Sequence, residues 1–572
     1  MDNATQGRDA LRAWEASKQE NFFSADPNLQ WTLRFYMGQA GYEAALRSFI
    51  HLGEFMARVI DPAAQVEDHL GNHPRLQRWS GIGERIEAIE FHPNHDLIGR
   101  KVWRSGVMAL QAEPGRTVQQ MGLYYLLAHA GEGAQLCALA CTSGLIRVLQ
   151  QAADPAVREK FLPPLLETDY HQMQHGAQFL TEIQGGSDVG TNAVTASDQG
   201  DGTWRISGEK WFCSNINADQ FLMTARPEDA PDGTRGLGLF LVPRRLDEGT
   251  TNGFYIRRLK DKIGTRTLAS AEVDFQDALA YPVGALDQGF KNVVNLVLNT
   301  SRLMNAVGSA GIMRRATLEA STYACHRTAF GQPIASYPLV QEALADMLSQ
   351  TCAALSSSLY VAHLLDSMET GQASDDDHAV FRLLVNLNKY ITSIRATETV
   401  HRAIEVLGGN GAIESFSILP RLYRDMIVLE SWEGTHNVLC LQVLRDIARY
   451  HLHEPFTRDL RQKLDAIQHP DLLPWAEITR AALDDGLRLL ARLDAGGEQY
   501  AQAHARRLAD QFAQTAQAAL LLREAQWELD EALPTAKPDI TAYFINRHLR
   551  PGYDPLDDDT YLPRLSRLMQ KA

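Results

Sequence analysis

The spacing of apolar residues changes twice along this chain and holds steady between the changes, which restricts the order of structural layers it can form. From Leu29 to about Leu165 apolar residues recur at every third and fourth position, as in MGLYYLLAHAGEGAQLCALACTSGLIRVLQQ, where Leu126, Leu127, Ala130 and Ala134 share one face. After Pro163 and Pro164 the period falls to two. Trp204 and Ile206 share a face, and Ala271, Val273 and Phe275 alternate with Glu272 and Asp274. GLGLFLVP has the pattern of a buried strand ended by Pro243, and SDQGDG, PEDAPDGTRG and DEGTTNG supply the turns between strands. Helical spacing returns at Asn292. One predicted helix opens on Ser374 with Asp375, Asp376 and Asp377 in its first turn, where carboxylates oppose the helix dipole, and ends at Gly408-Gly409. From about Asp446 the tail is helical again and includes an alanine-rich run from Tyr500 to Glu531.

A chain of 572 residues exceeds what one hydrophobic core supports. The period changes divide it into an N-terminal helical domain (1–170), a middle β domain of short strands forming a barrel or sandwich (171–290), a helical bundle (291–445) and an additional C-terminal helical domain (446–572). The expected class is α+β. Runs of one element type, rather than alternating βα units, argue against a doubly wound sheet, and no strand–GxGxxG–helix unit is present. GGSDVG and GGNG are Gly-rich but lack Rossmann or P-loop spacing.

Composition narrows the partners. With 55 Lys+Arg against 70 Asp+Glu, the net charge is −15, which disfavours a phosphate backbone as partner. The six cysteines (Cys137, Cys141, Cys213, Cys325, Cys352, Cys440) form no CxxC pair and no zinc-spaced cluster, so they are expected as buried free thiols and no metal is expected. The opening residues lack the basic-then-apolar layout of a targeting segment, and no run approaches the ~18 apolar residues of a membrane span. A cytoplasmic protein without membrane association is expected.

Four segments far apart in sequence concentrate turn glycines, hydroxyls and aromatics: FLTEIQGGSDVG (179–190), GEKWFCSN (208–215), HRTAFGQPI (326–334) and EVLGGNGAIESFSILPRLYRDMIVLESWEGTHNVL (405–439). In this order and domain context they resemble the acyl-CoA dehydrogenase family, over roughly Val157 to Leu444. The resemblance implies that family's fold with FAD as cofactor. It implies that Leu180, Thr181, Gly186 and Ser187 lie along the flavin and its pyrophosphate. Hydroxyls and amides in a Gly-permissive turn suit an anionic cofactor rich in acceptors.

By the same resemblance Phe212 occupies the position of a tryptophan stacked at the flavin, and Ser214 that of a threonine at the N5 edge. Phenylalanine keeps the apolar wall and loses the indole N–H. Arg327 and Phe330 match an R-x-x-F-G segment whose arginine meets the pyrophosphate of a neighbouring subunit's FAD, for which a guanidinium fork is well shaped. Gly408 and Gly409 would let backbone approach the cofactor, with Thr435 and Asn437 near its adenosine end. Glu405 stands where many members have glutamine, an unfavourable charge beside a pyrophosphate unless paired. Since two subunits would build one site, a homo-oligomer, dimer or tetramer, is implied.

Glu433, in SWEGTHN, matches the glutamate of the family's (Y/W)-E-G-T motif, implied to remove the substrate α-proton; burial against flavin and acyl chain would raise its pKa. Members lacking it usually carry a glutamate before the arginine of the first bundle helix, and that position here is Ser301. Arg302 is implied near the CoA phosphates or the site wall, with an interhelical ion pair as an equal alternative. TEIQGGSDV, GEKWF, LPRLYRDM and WEGTHNVLCLQVLRD have the character of the larger bacterial branch that includes the alkylation-response protein AidB.

Two functions follow from the resemblance. The first is an FAD-dependent dehydrogenase of fatty acid metabolism that forms a 2-enoyl-CoA from an acyl-CoA and passes electrons to electron-transfer flavoprotein; within it, a homotetramer is the expected assembly. The second is an AidB-like nucleic-acid-associated flavoprotein using the C-terminal helices. Residues 446–572 carry 16 Lys+Arg and 20 Asp+Glu, a balance of −4 where a duplex-binding surface would be basic, so the enzyme is preferred.

Overall fold

In the computed structural model, which describes residues 3–18 and 21–571, the chain forms two compact units. One comprises Met1–Arg58, Pro114–Gly131 and Asn305–Ala572; the other comprises Val59–Glu113 and Glu132–Met304.

The second unit is built on nine strands: β1 (Arg75–Trp79), β2 (Arg85–Glu90), β3 (Gly176–Phe179), β4 (Thr195–Asp198), β5 (Trp204–Ser214), β6 (Gln220–Pro227), β7 (Gly238–Pro243), β8 (Phe254–Leu259) and β9 (Ser270–Pro282). β6, β4, β5, β9 and β7 pair in that cyclic order and close a barrel, because β6 also pairs with β7. β3 joins β6 in parallel, and β8 joins β9. Closure removes the free edges that an open sheet leaves. Inward residues Phe179, Ile206, Phe221, Phe240, Phe254, Val273 and Phe275 form its core. Helix Gly133–Gln151 packs beside β3 through small residues: a Cβ added at Gly176 would stand 2.8 Å from Leu145 Cδ2.

β1 and β2 form a hairpin inside the stretch expected to be helical. Its period is hidden because the residue it buries is a carboxylate. Glu87 has a left-handed φ of +45°, and its side chain accepts from the Ile256 amide at 3.0 Å. A second correction concerns Cys325, which is exposed on the last turn of helix Asn299–His326 while the other five thiols are buried.

The first unit is helical. Its long helices are Pro27–Phe55, Thr117–Ala128, the part of Asn299–His326 from Asn305 onward, Pro338–Glu369, Asp375–Leu407 and His436–Tyr450. Ser374 caps Asp375–Leu407 through a reciprocal capping box with Asp377, and Gly408, φ +63°, ends it. The tail helices His453–Asp465, Leu473–Ala495, Glu498–Asp530 and Lys537–His548 belong to the same unit. Buried polar bonds join them to the bundle: Tyr360 donates to Asp459 at 2.8 Å, Tyr390 to Asp510 at 2.7 Å and Tyr543 to Asp346 at 2.8 Å. Among the described residues no helix is long and apolar enough to cross a membrane, and no cluster of three His, Cys, Asp or Glu is placed to hold a metal.

Lys537 is the deepest of these ties. Its ammonium donates to Glu524 Oε2 and Asn28 Oδ1, each at 2.6 Å, and lies 3.4 Å from Glu528. Burial opposes its charge, yet Glu524 and Glu528 outweigh that cost and hold its pKa above the ordinary lysine value. Removing one member of a buried ion pair typically costs about 3–5 kcal/mol, because the remaining charge is left without compensation. Lys537→Met should therefore lower the thermal transition of the helical unit clearly, and a Lys537→Met/Glu524→Gln double variant should recover part of the loss in the same calorimetric scan.

Candidate functional site

The candidate residues fall in both units: Leu180, Thr181, Gly186, Ser187, Phe212, Ser214 and Arg302 in the barrel unit, and Arg327, Phe330, Glu405, Gly408, Gly409, Glu433, Thr435 and Asn437 in the helical unit.

In the barrel unit, the segment after β3 leaves the sheet at Leu180 and forms an irregular loop whose backbone is held from inside. The Leu180 carbonyl accepts from Asn192 Nδ2 at 2.8 Å, and the Thr181 carbonyl from the Trp211 amide at 3.0 Å. Glu182, buried, accepts from the Ala193 amide at 2.6 Å, the Val194 amide at 3.3 Å and the Lys210 ammonium at 2.8 Å. Lys210 is fully buried; burial pulls its pKa below the ordinary lysine value, and Glu182 offsets only part of that. Gly186 lies flat on Thr181, since a Cβ there would meet Thr181 Oγ1 at 2.5 Å. Gly186 and Ser187 are exposed.

The same loop is therefore tied to β5, where a bulge sets Phe212. Lys210 pairs with Val273 but Cys213 pairs with Ala271, so Trp211 and Phe212 stand opposite a single residue of β9. The extra residue turns the Phe212 ring outward, 54% exposed. Lys260 Nζ lies 3.7 Å from the Trp211 ring centre and 4.7 Å from that of Phe212. Ser214 Oγ is 2.9 Å from Ser270 Oγ, which also accepts from Lys262 at 2.9 Å. Arg302 is buried, with Nη1 3.5 Å from Asn299 Oδ1, one turn beyond a π-helical stretch at Val293–Leu298.

In the helical unit, Arg327 enters a short hairpin, β10 (Thr328–Ala329) and β11 (Gln332–Pro333). The turn places Phe330 (φ +50°) and Gly331 (φ +91°) in left-handed backbone and leaves the Phe330 ring 97% exposed. Arg327 is exposed at its base. Gly408 and Gly409 have open space where a Cβ would stand, while Gly411 is pressed on the Ile404 carbonyl. Asn410 donates to the Tyr323 hydroxyl at 3.2 Å, which ties this glycine turn to the helix that leads to Arg327. Glu405 lies exposed one turn earlier.

Glu433 sits in the tight link between helices Leu419–Leu429 and His436–Tyr450. Its φ is +57° and that of Gly434 is +110°, so two successive residues are left-handed. A non-glycine residue there is uncommon and costs of order 1–3 kcal/mol, which the surroundings must offset. Lys389, fully buried, donates to the Glu430 carbonyl at 2.8 Å and to the Gly434 carbonyl at 3.0 Å. Asn437, in the first turn of the next helix, accepts from Arg506 of helix Glu498–Asp530 at 2.9 Å. The tail thus supplies a guanidinium beside a residue of the candidate set. Burial, then Lys389 and Arg506, push the neighbouring His436 down to about 4, so its ring is neutral at physiological pH.

Sequence patterns did not expose Glu182, Lys210, Lys389 or Arg506. Glu182 and Lys210 lie inside the quoted motifs, but a charge in a loop or on a strand is ordinarily solvent-facing, and only the three-dimensional pairing distinguishes these.

Three protein-family models match the chain: the acyl-CoA dehydrogenase C-terminal domain over residues 287–448, the acyl-CoA dehydrogenase middle domain over 177–278, and the adaptive response protein AidB N-terminal domain over 14–172. Acyl-CoA dehydrogenase family member 11 of Caenorhabditis elegans is 33% identical over 447 residues, covering 74% of this chain and 70% of that protein. Putative acyl-CoA dehydrogenase AidB of Escherichia coli (strain K12) is 34% identical over 388 residues, 65% of this chain and 69% of that one. Among solved structures, C. elegans ACDH-11 in complex with C11-CoA superposes with a TM-score of 0.87 at 27% identity, covering 96% of this chain and 94% of that one.

The internal support of the Thr181 loop is open to test. Lys210→Met leaves the Glu182 carboxylate buried without its cation, and hydrogen exchange at the Ala193 and Val194 amides should accelerate at least about tenfold, the equivalent of about 1.4 kcal/mol. Unchanged protection at both amides would mean that the ion pair does not hold the loop.

Proposed function

Since the chain belongs to the acyl-CoA dehydrogenase family, with an AidB-type N-terminal domain, we propose that it oxidises an acyl-CoA thioester to the 2-enoyl-CoA with Glu433 as the base. It is an FAD-dependent oxidoreductase acting on CH–CH groups. The observation that carries the finer reading is the backbone at Glu433: a glutamate in strained left-handed conformation, braced by a buried lysine, in the W-E-G-T setting.

The residues present fit FAD. A flat isoalloxazine needs an apolar wall and edge donors, and Phe212 with Thr181 and Ser214 offers these on one stretch of the barrel unit. A pyrophosphate needs a cation and approachable backbone. In the helical unit, exposed Arg327 and the open Gly408-Gly409 turn provide both chemistries; in the barrel unit, the exposed Gly186-Ser187 backbone provides approachable amides. When bound, FAD supplies the hydride acceptor, so that oxidation balances as one proton and one hydride removed from adjacent carbons.

The chain's own contribution is positional and acid–base. The Glu433 carboxylate takes the α-proton, acidified by the neighbouring thioester carbonyl. Arg302 is the substrate contact proposed for the barrel unit. The Phe330 ring, held out in water on a strained hairpin beside Arg327, suits a contact with a second copy of this chain, in line with a homotetramer whose subunits complete each other's cofactor sites. Electron-transfer flavoprotein is the proposed acceptor, the cytoplasm the proposed compartment and fatty acid metabolism the proposed setting. The nucleic-acid reading is weaker, since the tail's arginines are largely engaged with acids, as in Arg461–Asp484, Arg480–Asp465 and Arg567–Asp539.

The purified protein should be yellow with noncovalent FAD, and Arg327→Ala should lose cofactor on gel filtration more readily than the parent. Glu433→Gln should keep FAD and fold while flavin reduction in anaerobic rapid mixing slows by ~10²–10⁴-fold or more, the usual worth of a positioned base. Glutamine preserves size and hydrogen bonding but takes no proton at neutral pH. An unchanged reduction rate with a confirmed substrate would remove Glu433 from the role.

A further inference from the structure

The link that carries Glu433 rests on one face of a single helix. Lys389, Ser393 and Thr397 lie four residues apart on helix Asp375–Leu407 and so share a face. Lys389 binds the carbonyls of Glu430 and Gly434, at 2.8 and 3.0 Å. Ser393 Oγ is 3.2 Å from His436 Nε2, and the Thr397 hydroxyl donates to the Glu430 carboxylate. Each end of the link is therefore anchored to the same helix, before Glu433 at residue 430 and after it at 434 and 436. Asn305 completes the seat from a second helix, donating to the Leu429 carbonyl at 3.0 Å.

These bonds answer a specific need. The last carbonyls of helix Leu419–Leu429, at Met426, Val428 and Leu429, already accept from the amides of Glu430, Ser431 and Trp432, so the carbonyls that Lys389 meets are those of the link itself, just beyond the helix, where the negative end of its dipole favours a cation. An ammonium with several donors on a flexible stem can meet two carbonyls from converging directions, whereas a planar guanidinium fork is shaped for carboxylates and phosphates. The two carbonyls flank the residues with φ of +57° and +110°. Releasing them would let the turn relax toward ordinary backbone, and a rotation at residue 433 carries the carboxylate with it.

We propose that Lys389 is the positioning residue for the catalytic base: by holding the Glu430 and Gly434 carbonyls together it fixes the backbone at Glu433 and thereby the place of its carboxylate. The assignment rests on the reading of Glu433 as the base. It adds a residue outside the motifs that carry that reading, and gives the third bundle helix a part in the chemistry. A displacement of about 1 Å at a reacting group costs on the order of 10²-fold, so a large kinetic effect follows from a small structural one.

The test is a double-mutant cycle of Lys389→Met and Glu433→Gln on the FAD-loaded full-length protein, read by anaerobic flavin reduction followed from milliseconds to hours. Lys389→Met should retain FAD, bind acyl-CoA within about threefold of the parent, and reduce its flavin about 10- to 100-fold more slowly. In the Glu433→Gln background the same substitution should cost less than about twofold, because a residue acting through Glu433 has nothing left to position. Parental reduction rates in FAD-loaded Lys389→Met, or a full multiplicative loss in the double variant, would overturn the proposal. If Lys389→Met does not yield folded protein, Thr397→Val enters the same cycle, with several-fold slowing expected and the same non-additivity required. Should Glu433→Gln alone leave the rate intact, the base assignment itself fails, an outcome distinct from failure of the positioning role.

Discussion

An ammonium taken wholly out of water must be met by oxygen atoms, and three times among the described residues those oxygens fasten a segment to its surroundings. Lys210 is met by Glu182 and so pins the loop that carries Thr181, Gly186 and Ser187. Lys389 is met by two carbonyls and pins the turn that carries Glu433. Lys537 is met by Glu524 and Asn28 and pins the tail to the first helices of its unit. Each arrangement carries a desolvation cost that only complete pairing offsets. Irregular backbone with chemistry on it gains definition in return, which hydrophobic packing alone does not give to a loop exposed on one side.

The tail helices belong to the same unit as the bundle. They pack apolar side chains against one another, with the Phe456 and Phe512 ring centres 5.2 Å apart, and Asp459, Asp510 and Glu524 take bonds from Tyr360, Tyr390 and Ser356 of the bundle. Through Arg506 the longest of them reaches Asn437, three residues beyond Gly434. The tail is thereby in structural contact with the first turn of the helix that follows Glu433.

The gross architecture was legible because hydrophobic period is a property of whole segments: the alternation at Ala271, Val273 and Phe275 and the acid-rich start after Ser374 each predict an element that the structure contains. The hairpin at Arg75–Glu90 was not legible, since its inward position holds Glu87 rather than an apolar residue. Glu433 could be singled out from its flanking W-E-G-T context, but nothing local marks Lys389. In a list of residues it is one more lysine on a long helix, ordinarily a solvated position, and only the fold brings residues 430 and 434 to it. The positive φ at Glu433 likewise belongs to a turn held by a residue distant in sequence, whereas that at Phe330 belongs to a hairpin closed by its own neighbours.

In the proposed reaction this chain removes a proton and a hydride from adjacent carbons of an acyl thioester. Anaerobic mixing of the FAD-loaded protein with a panel of saturated acyl-CoAs, followed at the oxidised flavin absorption band with the organic product identified, tests it directly. At least one acyl-CoA should bleach the flavin within seconds and leave one 2-enoyl-CoA per flavin reduced. A protein that binds FAD and acyl-CoA yet is bleached by none of them, across short, long and branched chains, would contradict it.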